Sequence, residues 1–299
     1  MDKPVTVGVD GSASSMRALD WAADEAALHG RPLRIVHASV WERFEGATPA
    51  EDLPDGRTEA AALEEIITDA ETRARERRPE VRVHSEVLPG EPIDVLVRAG
   101  EDAFALVVGH RGHRALMRHL STGSVVSGVA ERAWCPVVVV GGSTPGRPSG
   151  HRQVVLGVGE GTDAGAAHVA FALHEAQARD CDLMAVHARS RRETRHDPPD
   201  LGSSPAADTL LSTAVPDRAA AESGITILRQ VVDGPAHHAL TQAAHNADLL
   251  VLGVRHRHGP VRRELGPTHH TALRHSPCPV ALVGVPWPSP RRPGTVDVG

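Results

Sequence analysis

Ala105-Leu106-Val107-Val108-Gly109-His110-Arg111 is an apolar run that stops at a glycine, and it returns later as Leu249-Leu250-Val251-Leu252-Gly253-Val254-Arg255. Short apolar runs without alternation are strands covered on both faces, as in a parallel sheet flanked by helices. Working outward, three more segments return in the same order. Val5-Thr6-Val7-Gly8-Val9-Asp10-Gly11 is matched by Val154-Val155-Leu156-Gly157-Val158-Gly159-Glu160. Leu33-Arg34-Ile35-Val36-His37-Ala38 is matched by Leu183-Met184-Ala185-Val186-His187-Ala188, and Cys135-Pro136-Val137-Val138-Val139-Val140 by Cys278-Pro279-Val280-Ala281-Leu282-Val283. Four collinear matches at nearly one offset mean two copies of one domain.

The first copy reads as strands over 5–9, 33–39, 81–88, 104–108 and 137–140, with helices over 14–29, 58–78, 92–102 and 124–133. The second copy repeats the plan with strands over 153–158, 183–188, 226–232, 248–254 and 280–283. Strand–helix alternation predicts an α/β fold: two tandem doubly wound domains, each with a five-stranded, mainly parallel sheet flanked by helices. Ser12 or Ser14 suits the N-cap of the first helix and Gly30 its C-terminal stop. The expected division is domain 1 over 1–141, a Gly/Pro/Ser linker over 142–150, domain 2 over 151–285 and a Pro-rich tail over 286–299. The tail reads as disordered and the polar loop 189–205 as mobile.

Composition removes several classes of function. The 299 residues are 40% apolar and 23% charged, enough for ordinary cores. A net charge of −6 and only 2% aromatic residues argue against a polyanion binder or a base-stacking platform, so no nucleic-acid partner is expected. Lys3 is the sole lysine, which excludes a Walker A loop and a lysine Schiff base. Three scattered cysteines and no N-terminal apolar leader point to the reducing cytoplasm. No apolar run approaches membrane-spanning length, so no membrane partner is expected.

In an open parallel sheet, ligands bind beyond the carboxyl ends of the strands where strand order reverses. The residues there are Asp10-Gly11-Ser12, Ala38-Ser39 and the segment Gly109-His110-Arg111-Gly112 running to Gly123-Ser124. Glycines after a strand allow close backbone approach, and Gly123-Ser124 at a helix start offers amides, a hydroxyl and the positive dipole end to a phosphate. A Gly-rich turn before a Ser-capped helix has the same features without a ligand. The dinucleotide-like Gly159-Glu160-Gly161-Thr162-Asp163-Ala164 lacks an acid at the end of the next strand and reads as a turn. The 19 histidines form no HExxH, and His174-Glu175 lacks a second histidine four residues on, so they read as solvated and no metal ligand is assigned. Cys135 and Cys278, each before a proline, read as inert core thiols. No GxSxG or triad order stands out, and no catalytic residue is assigned.

Taken together, the chain resembles the universal stress protein family in its tandem, two-domain actinobacterial form. Nucleotide-binding members carry Gly-x2-Gly-x9-Gly-(Ser/Thr) after the fourth strand, an aspartate ending the first, and Cys-Pro or a similar pair before the fifth. The resemblance implies an ATP site in the first copy, with Asp10 near the ribose and metal-bound phosphates. Ala38 would offer backbone contacts to adenine, Gly109 and Gly112 would admit ribose and phosphates, and Gly123 and Ser124 would hold phosphate oxygens. It implies Mg²⁺ alongside ATP. The first copy departs by one residue, with ten rather than nine between Gly112 and Gly123. The second keeps the nine-residue interval, 257–265, but departs further: Gly159, followed by Glu160, replaces the aspartate, His256 the second glycine and Pro267 the Ser/Thr, which predicts a degenerate site there. By analogy the fifth strands, Val137–Val140 and Val280–Val283, meet within the chain.

The function expected is a stress-response protein that binds ATP in its first domain as a regulatory ligand, with slow hydrolysis at most. The alternative is an interaction module in which both sites have decayed. An adenine nucleotide is the expected partner, with room left for a homodimer of tandem chains and for an unidentified protein.

Overall fold

The computed structural model describes residues 3–39, 59–110, 124–141, 150–162, 165–189, 205–254, 265–284 and 287. Most of the expected linker (142–149), the polar loop 190–204 and the tail except Trp287 lie outside the described residues.

The first repeat runs β1 (Val5–Gly8), α1 (Ala13–Leu28), β2 (Leu33–Ser39), α2 (Glu59–Arg77), β3 (Val83–Pro89), α3 (Pro92–Ala99), β4 (Ala105–Gly109), α4 (Ser124–Arg132) and β5 (Val137–Val140). The second runs β6 (Gln153–Gly157), α5 (Ala167–Ala178), β7 (Asp182–Arg189), α6 (Pro205–Ala214) and α7 (Asp217–Ser223), then β8 (Ile227–Asp233) and α8 (Ala236–Ala243). It ends with β9 (Leu249–Gly253), α9 (Pro267–His275) and β10 (Val280–Val283).

All ten strands form one sheet in the order β3-β2-β1-β4-β5-β10-β9-β6-β7-β8. Each half is parallel throughout, and the halves join antiparallel, with Val139 opposite Val280, Val138 opposite Ala281 and Val137 opposite Leu282. The junction covers two apolar strands that would otherwise be exposed sheet edges. Alternate residues along the strands feed two cores, one on each face. Val5, Val7, Leu33, Ile35, Val107, Leu156 and Leu183 pack on one face. Val36, Leu106, Val108, Val137, Leu250 and Leu282 pack on the other. The first of these cores draws residues from both repeats, so the halves share packing as well as hydrogen bonds.

Arginine does the work of the missing lysines. On α2, Arg73 grips Asp20 of α1 through two bonds of 2.6 Å, and Arg77 grips Asp24 at 3.0 and 2.6 Å. Arg78 adds a third guanidinium on Asp24 at 2.7 Å. The planar fork makes such bidentate grips, which an ammonium cannot. They fix the roll of α1 and thereby the position of its N-terminus at the carboxyl edge of the sheet.

Candidate functional site

Strand order reverses between β1 and β4 in the first repeat and between β6 and β9 in the second. Two crevices follow, one per repeat. In the first, the ends of β2, β1 and β4 lie side by side, which brings Ala38, Asp10 and Gly109 to one edge of the sheet. These three are half-buried, whereas Val7 and Val9 just upstream are buried.

The turn out of β1 is built by its own side chains. Gly11 takes φ +76, a conformation that favours glycine. Asp10 Oδ1 accepts from the Ser12 amide at 3.1 Å and from the Ser12 hydroxyl at 2.6 Å. Ser12, not Ser14, caps α1, its hydroxyl accepting from the Ser15 amide at 3.1 Å. Packing by itself requires a glycine at 109: a Cβ there would lie 2.7 Å from the Ser14 carbonyl carbon and oxygen. Ser124 opens α4 as expected. Gly112 and Gly123 lie outside the described residues.

The sequence reading gave no role to a histidine that occurs at the same place in both repeats. His37 Nδ1–H donates to the Val9 carbonyl at 2.9 Å, and His187 Nδ1–H to that of Val158 at 3.0 Å. Each ties the end of the second strand to the end of the first, beside its crevice. The recurrence of Val-His-Ala in both copies was the available signal.

The second crevice is furnished differently. Gly159–Thr162 form a turn, with the Thr162 amide on the Gly159 carbonyl at 3.2 Å and Gly161 at φ +70, matching the glycine-turn reading of that segment. The His168 ring lies where a Cβ on Gly253 would point, with Nδ1 2.7 Å from that position. His269 bridges the crevice: its Nδ1 accepts from the Gly266 amide at 3.2 Å and its Nε2–H donates to the Gly253 carbonyl at 3.0 Å. Burial, followed by the charge of His270, holds its pKa below the ordinary imidazole value although the Gly253 carbonyl pulls the other way. The amide at the start of α9 is therefore already taken by an imidazole. The corresponding residue of the first repeat, Val126, is apolar and buried and cannot make these bonds.

At the junction of the repeats His29 is not solvated. The His29 side chain is 4% exposed and lies against Glu25 and fully buried Glu175. Arg179 binds both carboxylates, reaching Glu25 Oε2 at 2.5 Å. Burial pushes Glu25 up to about 7 against the pull of Arg179. Burial acts on Glu175 in the same sense, yet Arg179 and the two histidines hold it well below the carboxylate range. Trp287, at the start of the expected tail, packs edge-on against Phe171 at 5.3 Å in this junction. Elsewhere, burial pushes Cys278 up to about 11, and Cys135 is buried as well, so neither thiol is poised to react. No helix among the described residues is long and apolar enough to cross a membrane.

A family model described as the universal stress protein family matches residues 1–141 and 150–284. The universal stress protein Rv2623 of Mycobacterium tuberculosis is 32% identical over 289 residues, covering 93% of this chain and 95% of that one. Among solved structures, a universal stress protein from Archaeoglobus fulgidus superposes with a TM-score of 0.69 at 17% identity, over 95% of this chain and 99% of that one. A universal stress protein from Archaeoglobus fulgidus in complex with dAMP matches 46% of this chain and 95% of its own, at 27% identity and a TM-score of 0.32.

Proposed function

The chain belongs to the universal stress protein family, and from that premise we propose that its first repeat binds ATP with Mg²⁺ as a regulatory ligand, while its second repeat does not. The observation that carries this reading is the contrast between the crevices. The first has a half-buried carboxylate, Asp10, beside the hydroxyl-capped start of α1. The second has no acid at the corresponding Gly159, and its own His269 occupies the helix-start amide. An imidazole satisfying that amide leaves it nothing to offer a phosphate.

The donors of the first crevice fit the group proposed. Asp10 is a hard oxygen donor, the kind that Mg²⁺ takes singly or in pairs together with phosphate oxygens. Bound Mg²⁺ would neutralise phosphate charge, with Asp10 orienting it, Ala38 facing adenine, and Gly109, Gly112, Gly123 and Ser124 along the ribose and phosphates. Lys3 lies before β1, at the opposite edge of the sheet, so no lysine serves phosphoryl transfer and hydrolysis is slow. In this reading domains 1–141 and 151–285, joined by the linker 142–150, act in the cytoplasm as a ligand-dependent scaffold.

One observation favours the decayed-site reading instead. Asp10 and Gly109 each have a structural task, in the Ser12 turn and in packing on Ser14, which would retain them without nucleotide. Calorimetric titration with ATP and Mg²⁺ separates the two readings. Wild type binding that Ser124→Pro loses is the expected result; wild type that does not bind favours the interaction module.

A further inference from the structure

The first helices of the two repeats meet end to end in a cluster that the nucleotide site does not use. Glu25 and His29 stand one turn apart at the end of α1, and His174 and Glu175 lie near the end of α5. His29 Nε2, His174 Nδ1 and Glu175 Oε1 all lie within 4.8 Å of one another. His29 Nε2 is 3.2 Å from Glu25 Oε1 and 3.3 Å from Glu175 Oε1, and His174 Nδ1 is 3.9 Å from Glu175 Oε1. A tetrahedral ion with bonds of about 2.0–2.2 Å spaces its ligand atoms about 3.3–3.6 Å apart.

Two further observations point to a ligand. Glu175 is fully buried, and its Oε1 is ion-paired with His29 at 3.3 Å without accepting a hydrogen bond; His174 Nδ1 makes none either. At 3.9 Å these two atoms are too far apart to satisfy each other, and both lie within 4.8 Å of His29 Nε2. Arg179, meanwhile, binds the other oxygen, Oε2, of both Glu25 and Glu175. Such an outer partner orients carboxylates and leaves Oε1 of each beside His29.

We propose that His29, His174 and Glu175 form a two-nitrogen, one-oxygen site for a zinc-class divalent cation that clamps the two repeats together, with Glu25 Oε1 beside it, 3.2 Å from His29 Nε2. Imidazole and carboxylate donors together select zinc and its neighbours over calcium or magnesium, which prefer oxygen alone. The two imidazoles stack with 13° between their planes, so coordination tilts His174 out of the stack. Its side chain is 37% exposed and has room to do so. The competing occupant is a proton on His29.

The test uses the full chain stripped with a chelator and titrated with zinc chloride by calorimetry, with stoichiometry checked by elemental analysis. One zinc per chain, a raised melting temperature and an anomalous diffraction peak between α1 and α5 are expected. His174→Ala and His29→Asn should each weaken binding at least about 100-fold, beyond the usual cost of an outer-shell change. His238→Ala, an exposed residue of α8, should leave it unchanged. No zinc uptake, zinc bound elsewhere, or binding indifferent to both cluster variants overturns the proposal.

Discussion

Glu25 and Glu175 hold the same position in the two repeats and meet at the junction, bound by one guanidinium, that of Arg179. Arg179 itself corresponds to His29, so each first helix brings a carboxylate and, four residues later, a basic side chain. The halves are thus joined by a polar cluster beside the shared sheet.

Removing the guanidinium leaves two buried carboxylates facing each other. Arg179→Leu is expected to cost about 3–5 kcal/mol, because a buried charge without its partner is far more expensive than the pair is stabilising. Urea unfolding of metal-free protein measures it. A loss under 1 kcal/mol would mean that water reaches the junction and screens the carboxylates.

The two crevice glycines should differ in their tolerance of a methyl group. A Cβ on Gly109 meets the Ser14 backbone at 2.7 Å, whereas one on Gly253 meets a side chain, the ring of His168. Gly109→Ala is expected to cost about 1–3 kcal/mol, as overpacking does, and Gly253→Ala distinctly less. Equal midpoints for the two variants in denaturant melts would refute this.

The shared sheet can be tested by breaking it. Ala281 lies opposite Val138 in the β5–β10 pair, in the middle of the ten-stranded sheet. Ala281→Pro removes an amide from a central strand and should cost about 3 kcal/mol or more. Protease cleavage between the repeats should then accelerate markedly; an unchanged rate would show that the pairing contributes little to holding them together.

His269 links the second crevice to pH. Because the folded chain depresses its pKa, the unfolded chain takes up the proton first, so the stability it confers is present above an unfolded value of about 6.5 and is lost as pH falls below it. Stability measured at pH 8 and pH 5.5 should fall more for wild type than for His269→Val, the residue type of the first repeat. Parallel falls would show that the imidazole bridge carries no linked stability.

The sequence made the sheet legible because covered parallel strands are written as unbroken apolar runs. The expected 137–140 and 280–283 are the observed β5 and β10, and 5–9 differs from β1 by one residue. The pairing of the fifth strands came from the family resemblance and is found as expected. The polar junction was not legible. Arg179 and Glu25 are 154 positions apart, and nothing in either helix alone distinguishes a cation buried against the other repeat from one in solvent. The histidines were read as solvated because their partners come from different repeats. For the crevices, the sequence separated Asp10 from Gly159 and Ser124 from Pro267. It missed the bridge of His269, since an imidazole's partners depend on how closely β9 approaches α9.

The most direct measurement of the central claim is a crystal grown with ATP and Mg²⁺. Nucleotide density between β1 and β4, beside Asp10, with the His269 bridge intact and the second crevice empty, is the result expected. Nucleotide between β6 and β9, or none in either crevice at saturating concentration, would contradict it.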